Sequence, residues 1–234
     1  MDFSVRSLLP ELLDGPDIPT ADLQRNLYEL EIINRKLGGH AITIKGFNEL
    51  LQGNAAVHVC EIGCGGGDNL KAIEKKLTGK KTNSSLTGID INPVCIGVAK
   101  NLDWKSEVDF LVSDYKKVNF EKKPDIIFSS LFCHHFKEME LVEMFRWMYN
   151  NSRTGFFIND LHRHPLAYHS IRFLTKHFSR SYLVKNDAPL SVLRGFKKEE
   201  LKDLMSRAGI RHYSIRWYWA FRWLVVVRHN PAAR

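Results

Sequence analysis

Cysteine is scarce: Cys60, Cys64, Cys95 and Cys133 are the only four, and no two of them form a C-x-x-C pair. A zinc ribbon and a disulfide-stapled scaffold are therefore not expected, and a reducing, cytoplasmic setting fits. No run of about 18 apolar residues occurs, which argues against a transmembrane helix. The opening stretch, MDFSVRSLLPELLDGPD, carries acids early and lacks the apolar centre of a signal peptide. Internal repeats and low-complexity tracts are missing too. What is present is ordinary globular composition, 44% apolar and 26% charged over 234 residues. A chain of that size buries a core without metal or disulfide staples.

The net charge of +8 is unevenly placed. Residues 161–234 carry 15 Lys+Arg against 4 Asp+Glu, whereas residues 1–160 are slightly acidic. A basic third suits an anionic or carrier-bound substrate, nucleic acid or a membrane surface, and a solvated basic face accounts for it equally well.

Three zones follow from the patterning. In residues 1–53, Pro10, Asp14-Gly15-Pro16 and Pro19 punctuate an irregular start. Thr20 then caps a helix with Leu23, Leu27, Leu30, Ile33 and Leu37 at helical spacing, stopped by Gly38-Gly39, and a short helix is expected over Lys45–Leu51. Residues 54–160 alternate strands and helices, with strands at 57–61, 85–89, 108–112, 125–129 and 155–159. Asn92-Pro93 supplies a helix start, a capping side chain followed by proline in the first turn. This rhythm predicts a parallel sheet covered by helices on both faces. Residues 161–234 break it. A basic, aromatic stretch is followed by a helix carrying Leu201, Leu204, Met205 and Ala208, then two strands close enough to pair only antiparallel. Tyr213, Ile215, Trp217 and Trp219 alternate in the first of these strands, and the aromatic stripe Trp217, Tyr218, Trp219, Phe221 and Trp223 reads as sheet core or a dimer surface rather than a base-stacking platform.

The chemistry begins at Glu61-Ile62-Gly63-Cys64-Gly65-Gly66-Gly67-Asp68, where a first strand turns into a first helix. The glycines permit a sharp turn and close approach of a ligand. A pyrophosphate loop would place glycine where Asp68 stands. The flanking acids Glu61 and Asp68 suit a ligand with a positive end, such as S-adenosylmethionine (SAM), whose carboxylate can meet the loop N–H groups. Asp90 ends the second strand, where an acid accepts ribose hydroxyls, and Asp114-Tyr115 follows the third, near an adenine. Cys64 reads as a small filler beside the ligand.

These residues resemble class I SAM-dependent methyltransferases. The family's E-x-G-x-G-x-G loop matches Glu61, Gly63, Gly65 and Gly67, its ribose acid matches Asp90, and its adenine-site acid matches Asp114. Pro124–Ser130 matches its fourth-strand motif, and Leu131–Phe136, LFCHHF, is similar to its "L-x-H-H" stretch. The resemblance implies a three-layer Rossmann-like α/β fold, a mostly parallel seven-stranded sheet ending in an antiparallel hairpin. It also implies SAM as cofactor, with S-adenosylhomocysteine (SAH) as product, held by Glu61, Gly63, Cys64, Gly65, Gly67, Asp90, Ile91, Asp114, Tyr115 and Ser129. More narrowly, Leu37-Gly38-Gly39, the stretch from Asp160 to Tyr168, and the segments 188–192 and 194–196 look like small-molecule methyltransferases found beside type III polyketide synthases. That likeness implies O-methylation of a phenolic or polyketide-like small molecule. Residues 1–53 are then an N-terminal helical cap and residues 54–234 the methyltransferase domain, with about 161–195 as a further cap over the acceptor.

Candidate catalytic bases are His162 and His164, since imidazole titrates near neutrality; capping the next helix or pairing with Asp160 is the structural alternative. Candidate acceptor contacts are His134, His135, Arg163, Tyr168 and Arg194. No metal is expected, because His162-x-His164 with Asp160 is not a recognised zinc spacing. Nucleic acid is a less favoured partner, and no feature sets an oligomeric state. The alternatives are a methyltransferase acting on RNA or protein through the basic third, and a non-catalytic SAM-binding partner protein.

Overall fold

A computed structural model describes residues 2–15, 17–51, 56–78 and 83–229. Helix α1 (Thr20–Lys36) ends at Gly38, whose φ of +80° reverses the chain, and α2 (Gly39–Leu50) starts at once. The second helix is thus longer than the expected Lys45–Leu51. Pro19, not Thr20, occupies the N-cap of α1.

The alternating region follows the predicted order: β1 (Ala56–Ile62), α3 (Asp68–Thr78), β2 (Asn83–Asp90), α4 (Pro93–Lys100), β3 (Glu107–Val112), β4 (Ile126–Ser130), α5 (Glu138–Asn151) and β5 (Gly155–Leu161). Asn92 caps α4, its Oδ1 accepting from the Val94 N–H at 2.9 Å. The basic, aromatic stretch becomes two helices, α6 (Pro165–Phe178) and α7 (Tyr182–Arg194). Then come α8 (Lys198–Arg207), β6 (Tyr213–Tyr218) and β7 (Arg222–Arg228).

The seven strands form one sheet in the order β3-β2-β1-β4-β5-β7-β6. β1 to β5 are parallel, and β7 runs antiparallel between β5 and β6, as the resemblance implied. Strand alternation divides the core into two layers. On one side Ile127, Phe156, Ile158, Val225 and Val227 pack with Leu141, Phe145 and Met148 of α5 and Leu201 and Met205 of α8. On the other, Val59, Phe128, Phe157, Leu224 and Val226 pack with Ile42, Phe47 and Leu50 of α2 and Leu70, Ile73 and Leu77 of α3. Burying each such side chain contributes about 1.5–3 kcal/mol, so the two layers hold the strand ends in fixed register. Glycine makes the α2 contact possible, because a Cβ at Gly46 would stand 2.6 Å from the Phe157 ring.

The aromatic stripe departs from the expected strand. β6 ends at Tyr218, and Trp219 lies in the turn to β7, 69% exposed. Among the described residues no helix is long and apolar enough to cross a membrane.

Candidate cofactor cleft and acceptor pocket

Strand order reverses between β1 and β4, and ligands of open α/β sheets bind at the carboxyl ends of strands beside such a switch. The loop after β1 carries Gly63, Gly65 and Gly67 at φ +64°, +51° and +79°, a region costly for other residues. Gly63 is doubly required, since a Cβ there would stand 2.2 Å from the Phe132 ring. The loop is tied to β2: the Cys64 N–H donates to the Ile89 carbonyl at 3.1 Å and the Gly65 N–H to Asp90 Oδ2 at 2.9 Å. Asp90 Oδ1 accepts from the Asn92 N–H at 2.9 Å, so this acid sets the loop as well as facing the cleft.

Glu61 lies under the loop, fully buried, and its Oε2 has no hydrogen-bond partner. Burial, with Asp68 and Asp90 nearby, holds its carboxyl well above the usual range. Burial also raises Asp90 despite its backbone bonds. Asp68 goes the other way: burial is outweighed by His40, 2.7 Å away, and by Asn34. An orphaned carboxylate oxygen beneath a glycine cradle fits a ligand with a cationic end, which SAM has. Ile91 follows the end of β2 and is 74% exposed. Asp114 stands after β3, with Oδ1 accepting from the Lys116 N–H at 3.0 Å. Cys64 is buried, with its thiol pushed up by burial, and its Sγ fills the space above Gly88.

Two expected cofactor contacts turn away. Tyr115 is buried in the core, its ring edge-on to Trp147 at 5.1 Å, because the turn after Asp114 folds back over α5. The Ser129 side chain is buried 3.2 Å from Cys133 Sγ, on the α5 side of β4.

Beside the glycine loop lies a cavity of about 210 Å³, walled by Ile33 of α1, Leu37 just after it, Leu131, Ile171 and Leu174 of α6, and Val184 of α7. Helix α1 borders both, with Leu30 and Ile33 on the cavity. Leu27 of α1 lies 3.7–3.8 Å from where Cβ atoms on Gly65 and Gly66 would stand. The chain from Leu131 to His135 leads from the one to the other, and Leu131 adopts a φ of +53° there. Such strain is held only where the surroundings over-determine it.

Glu11, His134 and His135 cluster at one end of the cavity, whose lining also includes Asn26, Ser170, Asp187 and Ser191. A short turn, Cys133–His135, presents both histidines. His134 is buried, with Nδ1 2.8 Å from Asp160 and Nε2 3.5 Å from Glu11. Burial alone would lower its pKa, but Asp160 and Glu11 outweigh that and hold it up at about 9. His135 has Nδ1 3.1 Å from Asp14 and Nε2 3.8 Å from Glu11. Glu11 is brought here by docking of the N-terminal segment on α7. The Leu12 and Leu13 N–H groups donate to Asp187 at 2.8 and 2.9 Å, and Ser191 Oγ donates to Glu11 at 2.7 Å. Arg222 lines the same cavity, buried, with Nη1 unpartnered and its pKa lowered to about 10 by burial.

His134 and His135 thus reach the pocket, while the other acceptor-site expectations are corrected. His162 follows strand alternation: Leu161 lines the cavity and the His162 ring turns toward Trp223. Its Nδ1 accepts from the Trp217 indole at 3.2 Å, and burial, with His164 and Arg163 nearby, lowers its pKa to about 4. His164 caps α6 through Nδ1, which accepts from the Leu166 N–H. Asp160 belongs to His134, not to these two. Arg163 is buried, bonded to carbonyls of Phe3, Ser4 and Gly195 and to Glu200. Arg194 is also buried, bonded to carbonyls of Leu9, His134 and His135 and to Asp14, so it builds the pocket wall rather than meeting the acceptor. Tyr168 packs edge-on against Phe3 at 5.8 Å. The sequence reading missed Glu11, Asp14 and Arg222. The first two stand in what reads as a proline-punctuated loop, and nothing local marks them.

Asp90→Ala is expected to weaken SAH binding roughly tenfold or more, since it removes a charged hydrogen-bond acceptor, while the chain stays folded. Calorimetric titration beside a thermal melt checks both halves, and unchanged affinity would reject the ribose role.

Residues 59–155 match the family model described as a methyltransferase domain. No curated protein matches the chain in sequence. Solved structures with the same fold include the plantazolicin methyltransferase BpumL in complex with SAH, at TM-score 0.63 and 18% identity over 89% of this chain and 99% of that one. The magnesium protoporphyrin IX methyltransferase ChlM from Synechocystis PCC 6803, with bound SAM, aligns at TM-score 0.58 and 14% identity over 89% and 91%. Human N-acetylserotonin methyltransferase in complex with SAM aligns at 0.62 and 18% over 91% of this chain and 57% of that one. At such identities the likeness establishes the fold, and acceptor choice must be argued from the site.

Proposed function

Residues 59–155 match a methyltransferase domain, and from that premise we propose that the chain is a class I SAM-dependent methyltransferase that methylates a hydroxyl oxygen of a small phenolic or polyketide-like molecule in the cytoplasm. The observation that carries this reading is the cavity beside the glycine loop. Its walls are mainly apolar, with a histidine and carboxylate cluster at one end and Asn26, Ser170 and Arg222 as further polar groups, and it is of a size for a small aromatic molecule. Glu61, the glycine loop, Asp90 and Asp114 hold the cofactor. Bound SAM supplies a methyl group on a cationic sulfur. The chain's own residues align the acceptor: the apolar walls from α1, α6 and α7 grip the ring, and the polar end orients its hydroxyl. Alignment alone accounts for much of the rate of such a displacement. Residues 1–53 and α6–α7 act as the cap that keeps water out.

An RNA acceptor would use the basic residues after 161. Of these, Arg163 and Arg194 are committed to internal bonds, which supports the small-molecule reading. The test is calorimetric titration with SAH, with NADH as control, followed by transfer from SAM to a panel of phenols. Binding without turnover on any phenol would point instead to a non-catalytic SAM-binding protein or another acceptor class. Within this reading, Ile171→Trp should fill the cavity. A drop in kcat/KM for the acceptor of about tenfold or more is expected from such overpacking, with SAH affinity unchanged; equal loss of both would place the acceptor elsewhere.

A further inference from the structure

We infer that Glu11, His134 and His135 bind a single divalent transition-metal ion at the polar end of the acceptor pocket; the inference deepens the proposed function and rests on it for the role of that pocket. Glu11 from the N-terminal segment meets the adjacent pair His134 and His135, which lie far from it in the sequence, and the three side chains converge on one place. His134 Nε2 is 3.5 Å from one oxygen of Glu11, and His135 Nε2 is 3.8 Å from the other. All three ligand atoms lie within 4.8 Å of one another. Among the described residues this is the one group with that property.

The spacing is longer than an ordinary hydrogen bond and close to a ligand–ligand separation. Nitrogen and oxygen joined by a hydrogen bond stand about 2.7–3.2 Å apart, closer than either pair here. Ligands at about 2.0–2.2 Å from a tetrahedral ion stand roughly 3.3–3.6 Å apart. The Glu11 pairs stand near that separation, and all three ligand atoms lie within 4.8 Å, so binding an ion would draw the side chains inward.

The second independent feature is what the other ring nitrogens do. A metal-binding histidine commonly gives its remaining N–H to a carboxylate, which fixes the tautomer and aims the ligating nitrogen. Both histidines have this partner: His134 Nδ1 meets Asp160 at 2.8 Å, and His135 Nδ1 meets Asp14 at 3.1 Å. Each ring therefore turns Nε2 toward Glu11. Charge agrees as well. Glu11, Asp14, Asp160 and Asp187 gather four carboxylates at this end, against the three guanidiniums of Arg6, Arg194 and Arg222.

Two imidazoles and one carboxylate favour zinc, cobalt, iron or manganese over magnesium or calcium. Three protein ligands leave a position open, and it faces the cavity, which is the arrangement of a catalytic rather than a structural metal site. An acceptor hydroxyl ligated there would lose its proton to buffer and be held as the more nucleophilic oxygen. The ligand class this predicts is a phenol, and a catechol or enolised diketone would gain a second bond.

The full chain, freed of metal with a chelator, should bind one equivalent of Co²⁺ and develop the visible absorption of a nitrogen- and oxygen-ligated ion. Glu11→Gln and His135→Gln should each weaken Co²⁺ binding about a hundredfold, and Asp160→Asn, an outer partner, about tenfold. Asp90→Ala should bind Co²⁺ as the parent does. Zn²⁺ should raise the melting temperature of the parent but not of the ligand variants, a readout independent of turnover. A folded parent that binds SAH but no Co²⁺ overturns the metal site and leaves the proposed function standing. Equal Co²⁺ binding by parent and both ligand variants overturns it too, by placing the ion elsewhere. Loss of SAH binding by the parent with Co²⁺ binding retained would fault the methyltransferase reading, not the site.

Discussion

Glu61→Gln is expected to abolish most SAH and SAM affinity while leaving the ligand-free chain as stable as the parent or more so. Two opposite effects act on one side chain. In the ligand-free fold the carboxyl is buried between Asp68 and Asp90 with one oxygen unpartnered, and its pKa is raised, burial being the main cause. The sign follows from linkage. A carboxyl raised in the fold contributes stability that is fully present below its unfolded pKa and is lost as pH rises through the folded value. At neutral pH the fold therefore carries a penalty, and a neutral amide of the same shape removes it. The amide oxygen can still accept from the Leu70 N–H, the one backbone bond Glu61 receives.

Ligand binding responds the other way. A charged hydrogen bond to the cofactor's ammonium contributes about 1.5–3 kcal/mol, so its loss weakens binding roughly 10- to 150-fold. The ionised form is the one the cation needs, so parent affinity should rise with pH through the raised pKa, with proton release on binding. The variant should show neither. Melts and calorimetry at two pH values in buffers of different ionisation enthalpy separate these outcomes. A variant that loses stability and affinity together would make Glu61 a fold residue only.

That the glycine loop and the acid at the end of β2 were legible in place, while Tyr115, Ser129 and most of the acceptor side were not, has a physical basis. Glu61, Gly63, Gly65, Gly67 and Asp90 act through a loop and two strand ends, so their spacing is written in a short stretch of sequence. The βα rhythm and the closing hairpin are likewise local, since strand alternation and helical spacing are set by neighbouring residues. The acceptor pocket is assembled from α1, the turn at 133–135, α6, α7 and an N-terminal segment laid across α7. Glu11 and Asp14 acquire their meaning only when that segment docks. His162 and His164 were misplaced for a different reason. Leaving β5, one residue decides the side, and it is Asp160 that meets His134 while Leu161 takes the pocket. Arginines near a strand end read as anchors for an anionic substrate, and their saturation by backbone carbonyls is visible only in three dimensions.

Arg163→Met tests that last distinction with a large expected effect, a loss of about 3 kcal/mol of stability. Arg163 is 1% exposed, and its guanidinium donates to the carbonyls of Phe3, Ser4 and Gly195 and to both oxygens of Glu200. Methionine fills much of the same volume, so packing is largely kept, and the change isolates the polar bonds. Those carbonyls would lose their donor, and Glu200 would lose its buried partner. The Glu200 side chain is 30% exposed, so water relieves part of that loss and the estimate stays at the lower end of the range for breaking a buried pair. In a chain of this length the loss lowers the melting temperature by about 6–12 °C. Residues 3 and 4 are held by this arginine, and a few residues later the same segment delivers Glu11 to the pocket. Arg163→Met should therefore also lower kcat/KM for the acceptor, and stabilising conditions such as lower temperature should restore part of that loss. If Arg163 instead contacted an anionic acceptor, the variant would keep its melting temperature and raise KM alone, and lowering the temperature would not restore activity.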